Sequence, residues 1–335
     1  MCPLFRTVRN YVKKLKNYSN KISCACQGVK RKTKIFLLTG FLGAGKTTLL
    51  KALMKAFNGH KIGIIVNDFG KVNIDYHLVE EEGMTMAEVS NGSIFCACVK
   101  DKFVDSLIAM AGYELEYLFI EASGLADPSN IQTILDGIEH KTDDAYLYQS
   151  AICVVDGENY QKMSKILPAL KRQVKHSGII LINKADLLED ETLRALTEMV
   201  SQENPQAKII ATSYCQFDYR LLLESTQQSH ELDTLNTPES RPVTLTLESL
   251  NILDYSGFET FLQEIIPQTY RFKGFVRTSQ GDFEVSAVSE RFELTKTDRS
   301  LEKTELVAIS AVGIKLYNAL LKASKAHLNE EFKVI

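Results

Sequence analysis

The chain has 335 residues, 45% of them hydrophobic and 24% charged, the balance of a soluble globular protein with room for one large domain or a large and a small one. No apolar run reaches about 18 residues, which excludes a membrane-spanning helix, and the opening residues lack the apolar core and small-residue cleavage site of a signal peptide. A cytoplasmic location is therefore expected.

The net charge of −3 conceals an asymmetry. Residues 1–32 carry nine Lys or Arg and no acid, so the rest of the chain sets 30 basic residues against 42 acidic ones. Outside that basic extension no aromatic-basic interleaving occurs, which argues against nucleic acid as a partner. Inside it, Leu4, Phe5, Val8, Tyr11, Val12 and Leu15 recur at helical spacing and predict an amphipathic helix. Such a helix can lie on a membrane surface, dock on a partner or pack on its own domain. Of seven cysteines, four form two copies of one tripeptide, Cys24-Ala25-Cys26 and Cys96-Ala97-Cys98. In a reducing compartment clustered cysteines point to metal binding or redox chemistry rather than to disulfides. Cys153 lies in an apolar run and reads as a buried small residue.

From residue 33 the pattern alternates strand and helix. Strands are predicted over 34–39, 61–67, 117–121, 151–156, 178–183 and 208–213, with helices over 46–57, 158–175 and 189–203. Strands that are apolar throughout and separated by helices imply an α/β fold, a mostly parallel sheet with helices on both faces, over residues 33–224. Residues 225–242 are polar and proline-bearing, as a linker is. Beyond them, strands over 243–247, 271–278, 283–289 and 306–310 and helices over 257–266 and 313–326 predict a small α+β domain, residues 243–335.

Gly40-Phe41-Leu42-Gly43-Ala44-Gly45-Lys46-Thr47 fulfils G-x-x-x-x-G-K-[ST] between a strand and a helix, where a phosphate-binding loop must sit. Glycines let backbone N–H groups approach phosphates, and the helix N-terminus adds partial positive charge. Gly40, Gly43, Ala44, Gly45, Lys46, Thr47 and Thr48 are the expected phosphate-binding residues. Lys46 should reach the β- and γ-phosphates, and the Thr47 hydroxyl should bind Mg²⁺. Asn183-Lys184-Ala185-Asp186, ending a buried strand, resembles the N-K-x-D base-recognition motif of GTPases. A carboxylate there accepts from guanine N1–H and the 2-amino group; adenine lacks both donors, so a buried Asp186 would be left unpaired against it. Thr212 and Ser213, ending the next strand, should lie beside the base. Glu121 ends another strand and can hold Mg²⁺ or its water, and the Gly124 N–H can sense the γ-phosphate. Asp68 follows the second strand, where a nucleotide-sensing segment belongs, and is a second Mg²⁺ candidate. Lys46, Asp68 and Glu121 form the expected catalytic set.

These motifs together, with Val66-Asn67-Asp68-Phe69-Gly70, Ser90-Asn91-Gly92-Ser93-Ile94-Phe95-Cys96 and Glu121-Ala122-Ser123-Gly124-Leu125-Ala126-Asp127-Pro128, resemble the CobW-type metallochaperone GTPases, among them the zinc-regulated metalloprotein activators. The resemblance covers about residues 33–335 and includes Arg271-Phe272-Lys273-Gly274-Phe275, similar to the family's small C-terminal domain. It implies a P-loop GTPase that carries a transition metal (Zn²⁺ first, or Co²⁺ or Ni²⁺) and releases it to a client metalloprotein as GTP is bound or hydrolysed. The family's N-G-C-x-C-C motif is altered here: Cys96 keeps one cysteine position, Ser93 and Phe95 replace the other two, and Cys98 is added. Lys71 stands where the family has an acid, and the His-rich linker is reduced to His230.

Thiolates at Cys96 and Cys98 can share one thiophilic ion but leave a tetrahedral site incomplete. His77, Asp75, Glu88, a second protomer in a homodimer, or Cys24 and Cys26 could complete it. The segment 67–98 would carry Asp68 near Mg²⁺ at one end and Cys96/Cys98 at the other, so ordering by the γ-phosphate would couple metal affinity to nucleotide state. Two other readings stay open: a GTPase of cobalamin or corrinoid metabolism, and a regulatory GTP switch without metal. The motifs hold no arginine placed as an in-cis finger, so hydrolysis is expected to be slow and open to stimulation by a partner.

Overall fold

Strand β1 (Thr33–Gly40) lies at the centre of the first sheet, and its alternation sets the layers around it. Ile35 and Leu37 point to one face, Phe36 and Leu38 to the other, because successive side chains of a strand alternate. The structure is a computed structural model that describes residues 31–66, 85–88, 100–224, 242–288, 291–328 and 332–335, with backbone alone at 85–88, 100, 101 and 224. Around β1 run β2 (Ile62–Val66), β3 (Thr85–Glu88), β4 (Tyr117–Glu121), β5 (Tyr146–Asp156), β6 (Ile179–Asn183) and β7 (Lys208–Ala211). Their order is β3-β2-β4-β1-β5-β6-β7, and every pairing is parallel. Strands β2, β4 and β6 are buried at all positions, as continuous apolar runs in a doubly covered sheet must be.

Helix α1 (Lys46–Ala56) covers the Phe36 face with Leu49, Leu50, Leu53 and Met54. Helices α2 (Lys100–Ala111) and α3 (Ile131–Thr142) cover the Ile35 face with Phe103, Leu107, Ile131, Ile134, Leu135 and Ile138. The short α4 (Tyr160–Met163), then α5 (Pro168–Lys175) and α6 (Asp190–Glu203), extend that face past β5 and β6. A further short helix, α7 (Leu221–Glu224), follows β7.

The second sheet consists of β8 (Thr244–Ser249), β9 (Thr269–Thr278), β10 (Gly281–Val288), β11 (Arg291–Lys296), β12 (Thr304–Ser310) and β13 (Lys333–Val334). Its order is β11-β10-β9-β12-β8-β13, antiparallel throughout. Helices α8 (Tyr255–Ile265) and α9 (Lys315–His327) bury Phe258, Phe261, Leu316 and Leu320 against one of its faces. Asp254 caps α8 by accepting from the Gly257 N–H at 2.8 Å. Among the described residues no helix is long and apolar enough to cross a membrane.

Four differences from the sequence expectations have physical causes. The single helix expected over 158–175 is two, because Pro168 lacks an N–H and forces Leu167 into an extended conformation (φ −115°, ψ 98°). The stretch 67–98, expected to join β2 to a helix without further strand, contains the edge strand β3, whose Thr-Met-Ala-Glu sequence has little intrinsic β preference and takes its form from pairing with β2. Helix α3 went unassigned although Ile131, Ile134, Leu135 and Ile138 carry helical spacing. Strand β11, also unassigned, is an edge strand without a fully buried position. The predicted helix over 4–16, Cys24, Cys26, Asp68, His77, Cys96, Cys98 and the predicted linker, but for Pro242, lie outside the described residues.

Candidate functional site

Strand β1 runs straight into the glycine-rich loop, and the loop's backbone forbids side chains where it turns. Gly40 (φ +132°) carries its α-carbon so close to β5 that an added Cβ would lie 2.2 Å from the Val154 carbonyl oxygen. Gly45 (φ +115°) would place a Cβ 2.5 Å from Asn183 Nδ2. Gly45 is also the N-cap of α1, so no side chain competes for the N–H groups of the first turn. These groups and the helix dipole converge on a cavity of about 250 Å³, lined by Leu42, Gly43, Lys46, Thr47, Glu121 and Gly124 among others.

Lys46 is buried, and its Nζ donates to the carbonyls of Gly40 at 3.0 Å and Phe41 at 3.1 Å, so its charge is held within the loop's curl. The Thr47 hydroxyl donates to Glu121 Oε1 at 3.0 Å, joining α1 to the end of β4. A hydroxyl beside a buried carboxylate is an all-oxygen donor set, which suits a hard cation such as Mg²⁺. Beyond Glu121, Gly124 abuts the phosphate loop: a Cβ there would stand 2.6 Å from the Leu42 backbone nitrogen. This second loop is pinned from α5. Buried Gln173 donates to the carbonyls of Ala126 (2.9 Å) and Gly124 (3.3 Å), and Arg172 Nε donates to Asp127 at 2.6 Å.

The end of β6 belongs to the same site. Asn183 donates through Nδ2 to the Ala44 carbonyl at 2.8 Å and accepts at Oδ1 from the Cys215 N–H at 3.0 Å. One amide thus ties the phosphate loop, the Asn-Lys-Ala-Asp segment and the turn after β7. Lys184 holds a left-handed conformation (φ 61°), uncommon for a residue with a side chain and characteristic of constrained sites. Its Nζ lies 2.8 Å from buried Asp156, which ends β5 and also accepts from the Glu158 and Asn159 N–H groups. Ser213 Oγ donates to Asp186 Oδ1 at 2.5 Å. Asp186 is exposed, where the sequence argument had taken it as buried, and Thr212 commits its hydroxyl to the Gln216 carbonyl, so Ser213 is the hydroxyl that meets it. Cys215 is buried against Gly45, and burial pushes its thiol up to about 12.

Two polar residues had been missed. Asp156 had a signal: it ends an apolar strand as Glu121 does. Arg271 on β9, read in the sequence only as part of the C-terminal domain, had none toward this site, because only the seating of the second sheet brings it to the wall of the phosphate cavity.

Residues 34–211 match the family model described as CobW/HypB/UreG, nucleotide-binding domain. The chain is 29% identical over 218 residues to zinc-regulated GTPase metalloprotein activator 1 of Dictyostelium discoideum, covering 54% of this chain and 46% of that one. It is 30% identical over 197 residues to the zinc chaperone YjiA of Escherichia coli (strain K12), covering 57% of this chain and 61% of that one. These matches span about half to three-fifths of the length of the relatives. Among solved structures, zinc-bound YjiA GTPase of E. coli matches at 21% identity with a TM-score of 0.47, over 88% of this chain and 99% of that one.

Proposed function

Since the chain belongs to the CobW/HypB/UreG family through its nucleotide-binding domain, we propose that it is a Mg²⁺-dependent GTPase that couples its nucleotide state to carrying a transition metal, zinc first, and delivering it to a client metalloprotein. The observation that carries the nucleotide half is the Asn183 amide, which locks the guanine-recognition segment onto the phosphate loop. A ligand that fills both must then present a base and a polyphosphate at once.

In this reading residues 33–224 form the GTPase unit and residues 243–335 a C-terminal unit, with 225–242 between them. Backbone N–H groups of Gly43, Ala44, Gly45, Thr47 and Thr48 hold the phosphates, with Lys46 balancing their charge. Asp186, held by Ser213, accepts from guanine N1–H and the 2-amino group, while Lys184, oriented by Asp156, lies along the base. Thr47 and Glu121, with Asp68 from the sequence reading, would hold Mg²⁺, which when bound would supply positive charge against the phosphates. The Gly124 N–H meets the γ-phosphate, and Gln173 keeps that loop from drifting.

Cys96 and Cys98 are the proposed cargo ligands. The names of the two relatives, a zinc chaperone and a zinc-regulated GTPase metalloprotein activator, support zinc. Thiolates also suit a cytosolic carrier, since that compartment keeps them reduced. The test is a zinc titration of anaerobically purified full-length protein, with and without a non-hydrolysable GTP analogue. A change in zinc affinity of at least about fivefold between the two states, abolished by Cys96→Ser, is expected from a coupled pair of sites. Identical affinities would sink the coupling, and protein that binds GTP but no metal would be a plain GTP switch.

A further inference from the structure

The phosphate cavity has one wall that the first sheet does not supply. Arg271 stands on β9 with Val288 opposite it on β10 and Ile309 opposite it on β12. Residues directly opposite in adjacent strands share a face, so these three side chains rise together on the face away from Phe272 and the second sheet's own core. Val288 and Ile309 pack with Phe41 and Leu42 of the phosphate loop. The fit is close: a Cβ added to Gly43 would lie 3.1 Å from Val288 Cγ2. An Arg291–Glu158 ion pair at 3.4 Å adds a second, exposed contact across the same junction.

This seat makes Arg271 part of the cavity wall, with Lys46, Thr47, Glu121 and Gly124. Its Nε is buried and has no hydrogen-bond partner among the described residues. An arginine cannot discard its proton, and a buried N–H without an acceptor costs about 1–3 kcal/mol. The cavity is otherwise lined by loop backbone, Leu42, Thr47, Thr48, Ser123, Lys46 and the Glu121 carboxylate, so an anion bound there would be an acceptor for the Arg271 side chain.

We propose that Arg271 is a catalytic residue, an arginine that the second sheet delivers in cis to the terminal phosphate of the bound nucleotide. The proposal rests on the GTPase reading above. In hydrolysis the oxygen of water bonds to the γ-phosphorus while the bond to the β–γ bridging oxygen breaks. GDP and inorganic phosphate leave, and one proton passes to solvent. Negative charge grows on the bridging and γ-oxygens during this transfer, and a planar forked donor stabilises that charge better than the ground state. Because Arg271 belongs to β9, the rate depends on the second sheet remaining seated on Phe41 and Leu42.

Single-turnover GTP hydrolysis and fluorescent GDP binding should be compared in the full chain for wild type, Arg271→Ala and Arg271→Lys. Arg271→Ala should lower the hydrolysis rate at least about 100-fold, the lower side of what arginine fingers supply. GDP affinity should stay within about threefold, since GDP has no γ-phosphate. Arg271→Lys keeps a charge but not the fork, and should recover less than about a tenth of the rate. Added guanidinium should partly restore Arg271→Ala, which a merely structural arginine would not allow. Equal rates for wild type and Arg271→Ala would overturn the proposal, as would parallel loss of GDP binding in both variants. Wild-type protein that binds no GTP would instead refute the GTPase reading, independently of Arg271.

Discussion

Lys184 Nζ lies 2.8 Å from Asp156 Oδ2, and the two residues come from the ends of neighbouring parallel strands. Asp156 is buried, and the same carboxylate accepts the N–H groups of Glu158 and Asn159 and the Asn159 amide. It therefore does two things at once: it shapes the turn after β5 and aims the lysine of the base-recognition segment. Asp156→Ala removes both and leaves a half-buried ammonium without its nearest partner. It should cost about 2–3 kcal/mol of stability and weaken GDP binding roughly tenfold. Asp156→Asn keeps an acceptor for the turn and should lose mainly the affinity. Urea denaturation and a fluorescent GDP titration separate the two effects.

In the proposed function, base selectivity rests on a carboxylate at the rim of the site. Asp186 is exposed and held by Ser213 Oγ. Replacing it by asparagine exchanges an acceptor for a donor where guanine presents its 2-amino group. Asp186→Asn should reduce GDP affinity by about 100-fold or more and favour xanthosine diphosphate, whose C2 carbonyl accepts from the new amide. Competition between the two nucleotides gives the answer directly; a variant still preferring GDP would mean that Asp186 does not read the base.

Alkali should unfold the protein through its buried thiols. Burial pushes the Cys153 and Cys215 thiols up to about 12 each, against about 8.5 for an unfolded cysteine. Between those values the unfolded chain has lost protons that the folded chain keeps. Stability then falls as pH rises, by about 1.4 kcal/mol per pH unit for each thiol, and below about pH 8 these groups add little slope. The buried phenols of Tyr148 and Tyr160 are raised further and act in the same direction at higher pH. Cys153→Ala should flatten the decline, as measured by urea denaturation at stepped pH. At pH 8 neither thiol should alkylate until the protein unfolds.

Much of the candidate nucleotide site could be read in the chain because its parts are contiguous. The phosphate loop, Glu121-Ala122-Ser123-Gly124 and Asn183-Lys184-Ala185-Asp186 each sit at a strand end, and a parallel sheet collects strand ends at one edge. The positions of these segments follow from hydrophobic runs and glycines alone. Strand β3 and helix α3 were missed for opposite reasons. The first owes its form to the pairing edge of β2, whereas the second carried its pattern openly in four isoleucine and leucine positions.

What the sequence determined by itself was therefore local: a glycine-rich turn that admits no side chain, apolar strands that must be covered on both faces, and polar residues placed where those strands stop. What only the tertiary structure decided was which distant residues share those ends. Asn183 reaching Ala44, Ser213 meeting Asp186 and Arg271 arriving from the second sheet span 139, 27 and more than 200 positions. No local propensity encodes such meetings. The first two follow from the parallel pairing of β1, β5, β6 and β7, and the third from the burial of Phe41 and Leu42 against Val288 and Ile309, a contact whose free energy comes from apolar area removed from water and so depends on shape rather than on sequence order.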